Sequence, residues 1–147
     1  MAEKLYFVDG YHGGIEGHMP PGAWEDILDA LERYPEWKIS LEIEPESFDY
    51  LRIHDYQVYK RLQDFLSKEE TGDRIEFISG SYGQPFCWAI GGESNIRHLI
   101  LGNELLQKHF KGVSIDTYAV QEPCFTSALP QICKKLGYKR ISLKNPT

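Results

Sequence analysis

Residues 113–143 read VSIDTYAVQEPCFTSALPQICKKLGYKRISL, and their pattern decides the fold. Val113 to Val120 is a short apolar run of strand character, and Tyr138 to Leu143 is another. Between them, Ser127 to Leu136 has helical spacing and Gly137 closes it. A strand, a helix and a strand within roughly thirty residues describe a parallel pair joined by a right-handed crossover. Glu122-Pro123 falls where the backbone leaves the first strand, so a carboxylate stands at the bend.

The same order repeats upstream. Leu5 to Val8 is strand-like and runs into Asp9-Gly10, after which Gly13, Gly14, Gly17 and Pro20-Pro21 break regular structure. Trp24, Ile27, Leu28 and Leu31 then fall on one helix face, and Pro35 stops the helix. Ile39, Leu41 and Ile43 alternate with Ser40, Glu42 and Glu44 as in a strand, and Pro45 ends it. Phe48, Leu51, Tyr59, Leu62, Phe65 and Leu66 recur helically, as one helix or two short ones. Asp73 to Ser79 predicts a third strand, Gly80 to Gly92 a loop, and Ile96, Leu99, Ile100, Leu106 and Phe110 the inner face of a third helix. The chain is thus α/β, with parallel β/α repeats and about five strands.

With 147 residues the chain fits a single domain, 1–147, that can bury about two-thirds of its unfolded surface. Its net charge of -6, with 16 Lys and Arg spread thinly, argues against nucleic acid as a partner. No apolar run approaches the ~20 residues that span a bilayer, so no membrane role is expected. Cys87, Cys124 and Cys133 are widely spaced, odd in number and form no CxxC pair, so neither a disulfide framework nor a structural zinc site is indicated. No leader-like N-terminus is evident, and a cytoplasmic location is favoured.

The connections are unequal. Each β-to-α loop is long and carries acids, histidines or aromatics, whereas Lys111-Gly112 and Gly137 are minimal links. In parallel α/β proteins the chemistry sits at the C-terminal ends of the strands. The residues just after each strand are Asp9 and His12, then Glu44, then Ser81, Tyr82 and Gln84, then Glu122. Carboxylates with an imidazole suit a metal ion or general acid and base work. Singly, each has a plainer reading: a turn for Asp9-Gly10, solvation for Glu44, a favourable helix-end charge for Glu122. Their coincidence at one end favours the functional one. His54, His98 and His109 are expected on solvated helix faces. Glu93 is expected to serve the start of the third helix, with Arg97 one turn on. Tyr82 and Trp88 suit stacking on the apolar face of a sugar.

Two blocks resemble a known family. GDRIEFISGSYGQPFCWAIGGESNIRHLILGNELLQKHF is similar to the family 38 glycoside hydrolase pattern of a strand, a Gly-rich aromatic loop and a long helix. YAVQEPCFTSALPQICKKLGYKRISLKN resembles the next unit, where the family places an acid before a Leu-Pro helix. The resemblance implies the first part of a seven-stranded β/α barrel of α-mannosidase type. That enzyme class cleaves with retention, through a nucleophilic carboxylate that also binds zinc. By position the nucleophile is Glu122; Asp9 and His12 would join it as metal ligands, with zinc as cofactor; Tyr82, Gln84, Trp88 and Glu44 would contact a carbohydrate substrate. The family pattern has His-x-Asp after the first strand and Asp as nucleophile, where this chain has Asp9 before His12 and Glu122. An opened barrel leaves strand edges at Leu5 to Val8 and Tyr138 to Leu143, an opportunity for homo-oligomers. Two other readings exist: a Rossmann-like nucleotide-binding domain, which lacks its G-x-G-x-x-G, and a non-catalytic carbohydrate-binding remnant.

Overall fold

A computed structural model of the chain describes residues 8–10, 21–83, 86–120 and 126–143. In chain order the elements are β1 (Val8–Gly10), α1 (Ala23–Arg33), β2 (Ile39–Ile43), α2 (Ser47–His54), α3 (Tyr56–Ser67), a 3₁₀ turn (Gly72–Arg74), β3 (Ile75–Ser79), α4 (Gly92–His109), β4 (Thr117–Val120), α5 (Leu129–Lys135) and β5 (Arg140–Leu143). Strands β1, β2 and β3 pair in that order, all parallel, with Asp9 opposite Leu41 and Leu41 opposite Phe77. β4 and β5 form a second parallel pair, with Thr117 opposite Arg140. The α/β architecture with parallel strands is as the sequence predicts.

The two pairings are joined through side chains. Glu76 on β3 accepts hydrogen bonds from Ser40 Oγ on β2 at 2.8 Å, Thr117 Oγ1 on β4 at 3.1 Å and Arg140 on β5 at 2.9 Å. Arg140 Nε also donates to Thr117 Oγ1 at 2.9 Å. One carboxylate thereby links four strands on one face of the sheet.

The opposite face packs the helices. Phe48 on α2 is fully buried and touches Trp24 on α1, Phe77 on β3 and Phe110 after α4, with ring centroids 6.0, 5.4 and 4.8 Å away. Leu28 and Leu31 of α1, Leu51 of α2 and Leu62 of α3 complete this core. Each fully buried side chain of this size contributes about 1.5–3 kcal/mol. The single long helical stretch breaks in two at Asp55, whose extended backbone ends α2 and whose carboxylate accepts from Val58 N at 3.1 Å to cap α3.

Other boundaries move by tertiary demand. β3 starts at Ile75 because Asp73 and Arg74 lie in the 3₁₀ turn. From there buried Arg74 donates to the Leu31, Tyr34 and Trp37 carbonyls, satisfying the C-terminal end of α1. β4 starts at Thr117 rather than Val113: Val113 N turns back to Phe110 O, and Ile115 enters the core. α4 presents Asn95, Leu99, Gly102 and Leu106 inward, while Ile100, expected inside, is 39% exposed.

His109 overturns the expectation of a solvated histidine. It is 4% exposed, with Nδ1 3.0 Å from the Tyr59 hydroxyl and Nε2 3.5 Å from Asp49 Oδ1. Gln63 Nε2 donates to that hydroxyl and to the His109 carbonyl, so the hydroxyl is left to donate to Nδ1. His54 is exposed as expected, its ring tilted at 31° to that of Tyr50 with centroids 4.0 Å apart.

Two predictions follow from these contacts. Glu76→Ala should lower stability by about 1–2 kcal/mol, because two hydroxyls and a guanidinium lose their common acceptor; an unchanged midpoint in urea unfolding would show that the ladders alone fix the sheet. Burial lowers the His109 pKa below its ordinary 6.5, with Asp49 opposing and Lys108 and Arg52 adding to the fall. The unfolded chain then takes the proton first, so the stability His109 contributes is whole above about pH 6.5 and declines as pH falls toward the folded-state pKa. Thermal midpoints measured downward from about pH 7 should fall less in His109→Phe than in the parent; equal slopes would exclude His109 as the cause.

Candidate functional site

The strand ends form one rim, because β1, β2 and β3 run parallel and Glu76 holds β4 and β5 beside them. Glu44 stands one residue past β2 and is 7% exposed, not solvated. Glu42, on the Ser40 face of β2, is buried to the same extent. The alternation of β2 puts Glu42 on the same face as Ser40 and Glu76, and hydropathy alone does not separate it from its partly exposed neighbours.

β3 leaves the sheet under strain. Ser79 has φ +85, a left-handed conformation that costs a non-glycine residue about 1–3 kcal/mol. Gly80 follows at φ +76, and a Cβ there would lie 2.6 Å from the Tyr138 hydroxyl. That hydroxyl donates to Ser79 O at 3.2 Å and accepts from Asn103 Nδ2 at 2.8 Å. Burial pushes the Tyr138 pKa up to about 12, so the donating proton stays in place. Ser79 Oγ and Ser81 Oγ lie 3.3 Å apart, both buried. The strained exit is therefore held by α4 and by Tyr138.

The loop beyond it rests on α4. Tyr82 N donates to His98 O at 2.9 Å, and Asn95 Nδ2 donates to Cys87 O at 2.9 Å. Ser81, Cys87, Asn95, His98, Leu99, Tyr118 and Leu129 line a tight cleft between the loop, α4 and β4. Asn95 Oδ1 and His98 Nδ1 are buried there and have no hydrogen-bond partner among the described residues. His98, expected on a solvated face, is half-buried with its Nδ1 shielded from water. Tyr82 and Trp88 are 41% and 67% exposed, in keeping with a surface open to a ligand.

Burial raises the pKa of both described cysteines, that of Cys133 to about 11, so these thiols are structural and not nucleophiles. Glu93 and Arg97 pair at 2.8 Å on the exposed face of α4. Thr126 Oγ1 accepts from Ala128 N at 3.3 Å, just ahead of α5. His12, Gln84 and Glu122 lie outside the described residues, and for Asp9 the backbone alone is described. Among the described residues no three His, Cys, Asp or Glu side chains gather as a metal group would. No described helix is long and apolar enough to cross a membrane.

Residues 21–145 match the sequence profile described as "Glycosyl hydrolases family 38 N-terminal domain". The chain belongs to this family. A search of curated proteins gives no match. Among solved structures, the 4-alpha-glucanotransferase from Thermococcus litoralis matches with TM-score 0.72 and 13% identity over 95% of this chain. A family 4 carbohydrate esterase from Bacillus anthracis matches with TM-score 0.59 and 16% identity over 93%. The Streptococcus pyogenes deacetylase PplD matches with TM-score 0.68 and 11% identity over 95%. At these identities the likeness is one of fold. The chain spans 22%, 56% and 55% of those three proteins.

Within this family 38 domain, the close approach of α4 to the loop is the feature most open to a test. A Cβ on Gly102 would lie 2.1 Å from Gly80 O and 2.7 Å from Tyr82 N, both backbone atoms. Gly102→Ala should therefore force loop and helix apart and lower stability by about 1–3 kcal/mol. A parent-like midpoint in denaturant unfolding would mean that the contact relaxes freely.

Proposed function

We propose that the chain, as one domain over residues 1–147, forms the first part of a seven-stranded β/α barrel in a retaining glycoside hydrolase of α-mannosidase type. The observation that carries this reading is the family match over residues 21–145, on a sheet whose parallel strand ends converge at one rim. β4 ends at Val120, two residues before Glu122 in the sequence. Glu122 is the proposed nucleophile. Its carboxylate attacks the anomeric carbon, the glycosidic bond breaks, and water later releases the sugar with its configuration retained. The proton donor of such a pair stands ~5–5.5 Å from the nucleophile. Glu44, Tyr82, Gln84 and Trp88 would hold the sugar, the acid by its hydroxyls and the aromatics by its apolar face.

Zinc is the proposed cofactor. Asp9, His12 and Glu122 offer the oxygen and nitrogen donors that zinc takes, and β1 fixes the backbone of Asp9 opposite Leu41. Bound there, the ion would orient the sugar's hydroxyls and polarise them as a Lewis acid. A neutral carbohydrate is the proposed partner, with neither nucleic acid nor a membrane in that role, and a cytoplasmic setting is proposed with it. Among the described residues β1 pairs with β2 alone and β5 with β4 alone, so both edges can accept a further strand from the same protein or from a second copy.

The protein should cleave an aryl α-mannoside. In Glu122→Gln the rate should drop on the order of 10⁴-fold, with the unfolding midpoint kept. Parent-like turnover in that variant would falsify the nucleophile assignment. Sugar binding without turnover in the parent would instead favour a non-catalytic carbohydrate-binding role.

A further inference from the structure

Among the described residues Ser79 is the one non-glycine with a positive φ, and its register partner on β2 is Ile43, the residue before Glu44. The turn it makes therefore has Glu44 beside it, and three residues on the chain reaches Tyr82. Tyr82 N is pinned to His98 O on α4 at 2.9 Å, while the side chain stays partly exposed. The group that holds this turn comes from the other strand pairing. Tyr138, two residues before β5, donates its hydroxyl to Ser79 O at 3.2 Å, and Asn103 Nδ2 donates to that hydroxyl at 2.8 Å. The Tyr138 ring is buried edge-on to Tyr118 of β4, with centroids 6.2 Å apart. Asn103 Nδ2 is also tied to Leu99 O at 2.8 Å. β4 and α4 thus fix where the hydroxyl stands.

A left-handed φ is unfavourable for a residue with a Cβ and open to glycine. Glycine takes the next position, Gly80 at φ +76, yet serine stands at 79. Released from its partners, Ser79 would return to an extended φ and send the loop on along the strand. The bond from Tyr138 opposes that return. Close packing at Gly80 supplies the steric half of the clamp, because a Cβ there would lie 2.8 Å from Ile115 Cδ1 and 2.6 Å from the Tyr138 hydroxyl. A chain that needed only a loop here would do with glycine at both positions. Strain kept beside a binding rim points instead to a need for one direction of exit.

We propose that Tyr138 is a positioning residue for the sugar rim: by holding Ser79 in its left-handed conformation it fixes the exit of β3, and with it the placement of Tyr82 relative to Glu44. Tyr138 acts through the backbone and touches no substrate. The proposal rests on the glycoside hydrolase reading, in which Tyr82 and Glu44 hold the sugar.

The test is a cycle of the parent, Tyr138→Phe, Ser79→Gly and the double variant, read by KM and kcat on an aryl α-mannoside and by thermal midpoints. At a temperature where all are folded, Tyr138→Phe should raise KM about tenfold and leave kcat within about twofold of the parent. Ser79→Gly alone should be parent-like in KM. In the double variant it should bring KM back to within about twofold of the parent, because glycine keeps the turn without the clamp. A hydroxyl with a merely structural role would lower the midpoint and leave KM alone; that result, or a raised KM that glycine does not rescue, overturns the proposal. If Tyr138→Phe does not fold, Asn103→Ala, which loosens the same hydroxyl, takes its place with the same outcomes expected. The hydrolase reading fails separately. Should the parent cleave no mannoside, the affinity for methyl α-mannoside is measured by calorimetry across the same cycle: the same loss and rescue keep Tyr138 as a positioning residue, and no binding, or equal binding by all four, removes it.

Discussion

Glu76 is the point on which the arrangement of the sheet turns. The ladders leave β1–β3 and β4–β5 as separate parallel pairings, and this carboxylate accepts from β2, β4 and β5 at once. Its hydrogen bonds are charge-assisted and come from three directions, which fixes register as well as proximity. Arg140 is 62% exposed along its side chain, so the ion pair itself contributes little. The geometric constraint comes mainly from the two hydroxyls, Ser40 and Thr117, whose donors lie on neighbouring strands. Between the two pairings Glu76 acts together with Tyr138, whose hydroxyl donates to Ser79 O at the C-terminal end of β3.

The sheet has two unlike faces. Trp24, Phe48, Phe77 and Phe110 fill the face toward the helices. Ser40, Glu42, Glu76 and Thr117 occupy the other, where Ile78 and Ala119 are nonetheless buried. Glu42 is buried on that face while the Glu76 side chain stays 39% exposed, so Glu76 keeps part of its hydration and the desolvation cost falls chiefly on Glu42.

The element order and the inner faces of α1 and β2 were legible in the sequence, because Trp24, Leu28 and Leu31, and Ile39, Leu41 and Ile43, obey simple periods and pack on one core. The face of α4 was not. Its inward positions include Asn95, Gly102 and His109, which no hydropathy pattern selects. Each is buried for a reason that lies elsewhere in the chain: Asn95 for the Cys87 carbonyl, Gly102 for the passage of Gly80, and His109 for the Tyr59 hydroxyl. Boundaries failed for the same cause, as with Arg74, drawn out of the strand to cap α1. The positions of Glu44 just past β2 and of Tyr82 and Trp88 in the loop after β3 were readable from the element order. Glu42 was missed because its burial depends on what covers the sheet rather than on its own neighbours.

α4 divides the molecule into two mechanical regions. Its first turns hold the strained exit of β3 and the aromatic loop through Asn95, the His98 carbonyl and Gly102. Its last turn anchors α2 and α3 through His109, Asp49 and Tyr59. Because the helix runs antiparallel to the strands it connects, the first group stands at the rim and the second at the opposite end. Polar residues in both groups do what apolar packing cannot, since a hydrogen bond fixes direction as well as contact. The strained φ of Ser79 is tolerated only because Tyr138, Asn103 and α4 over-determine it.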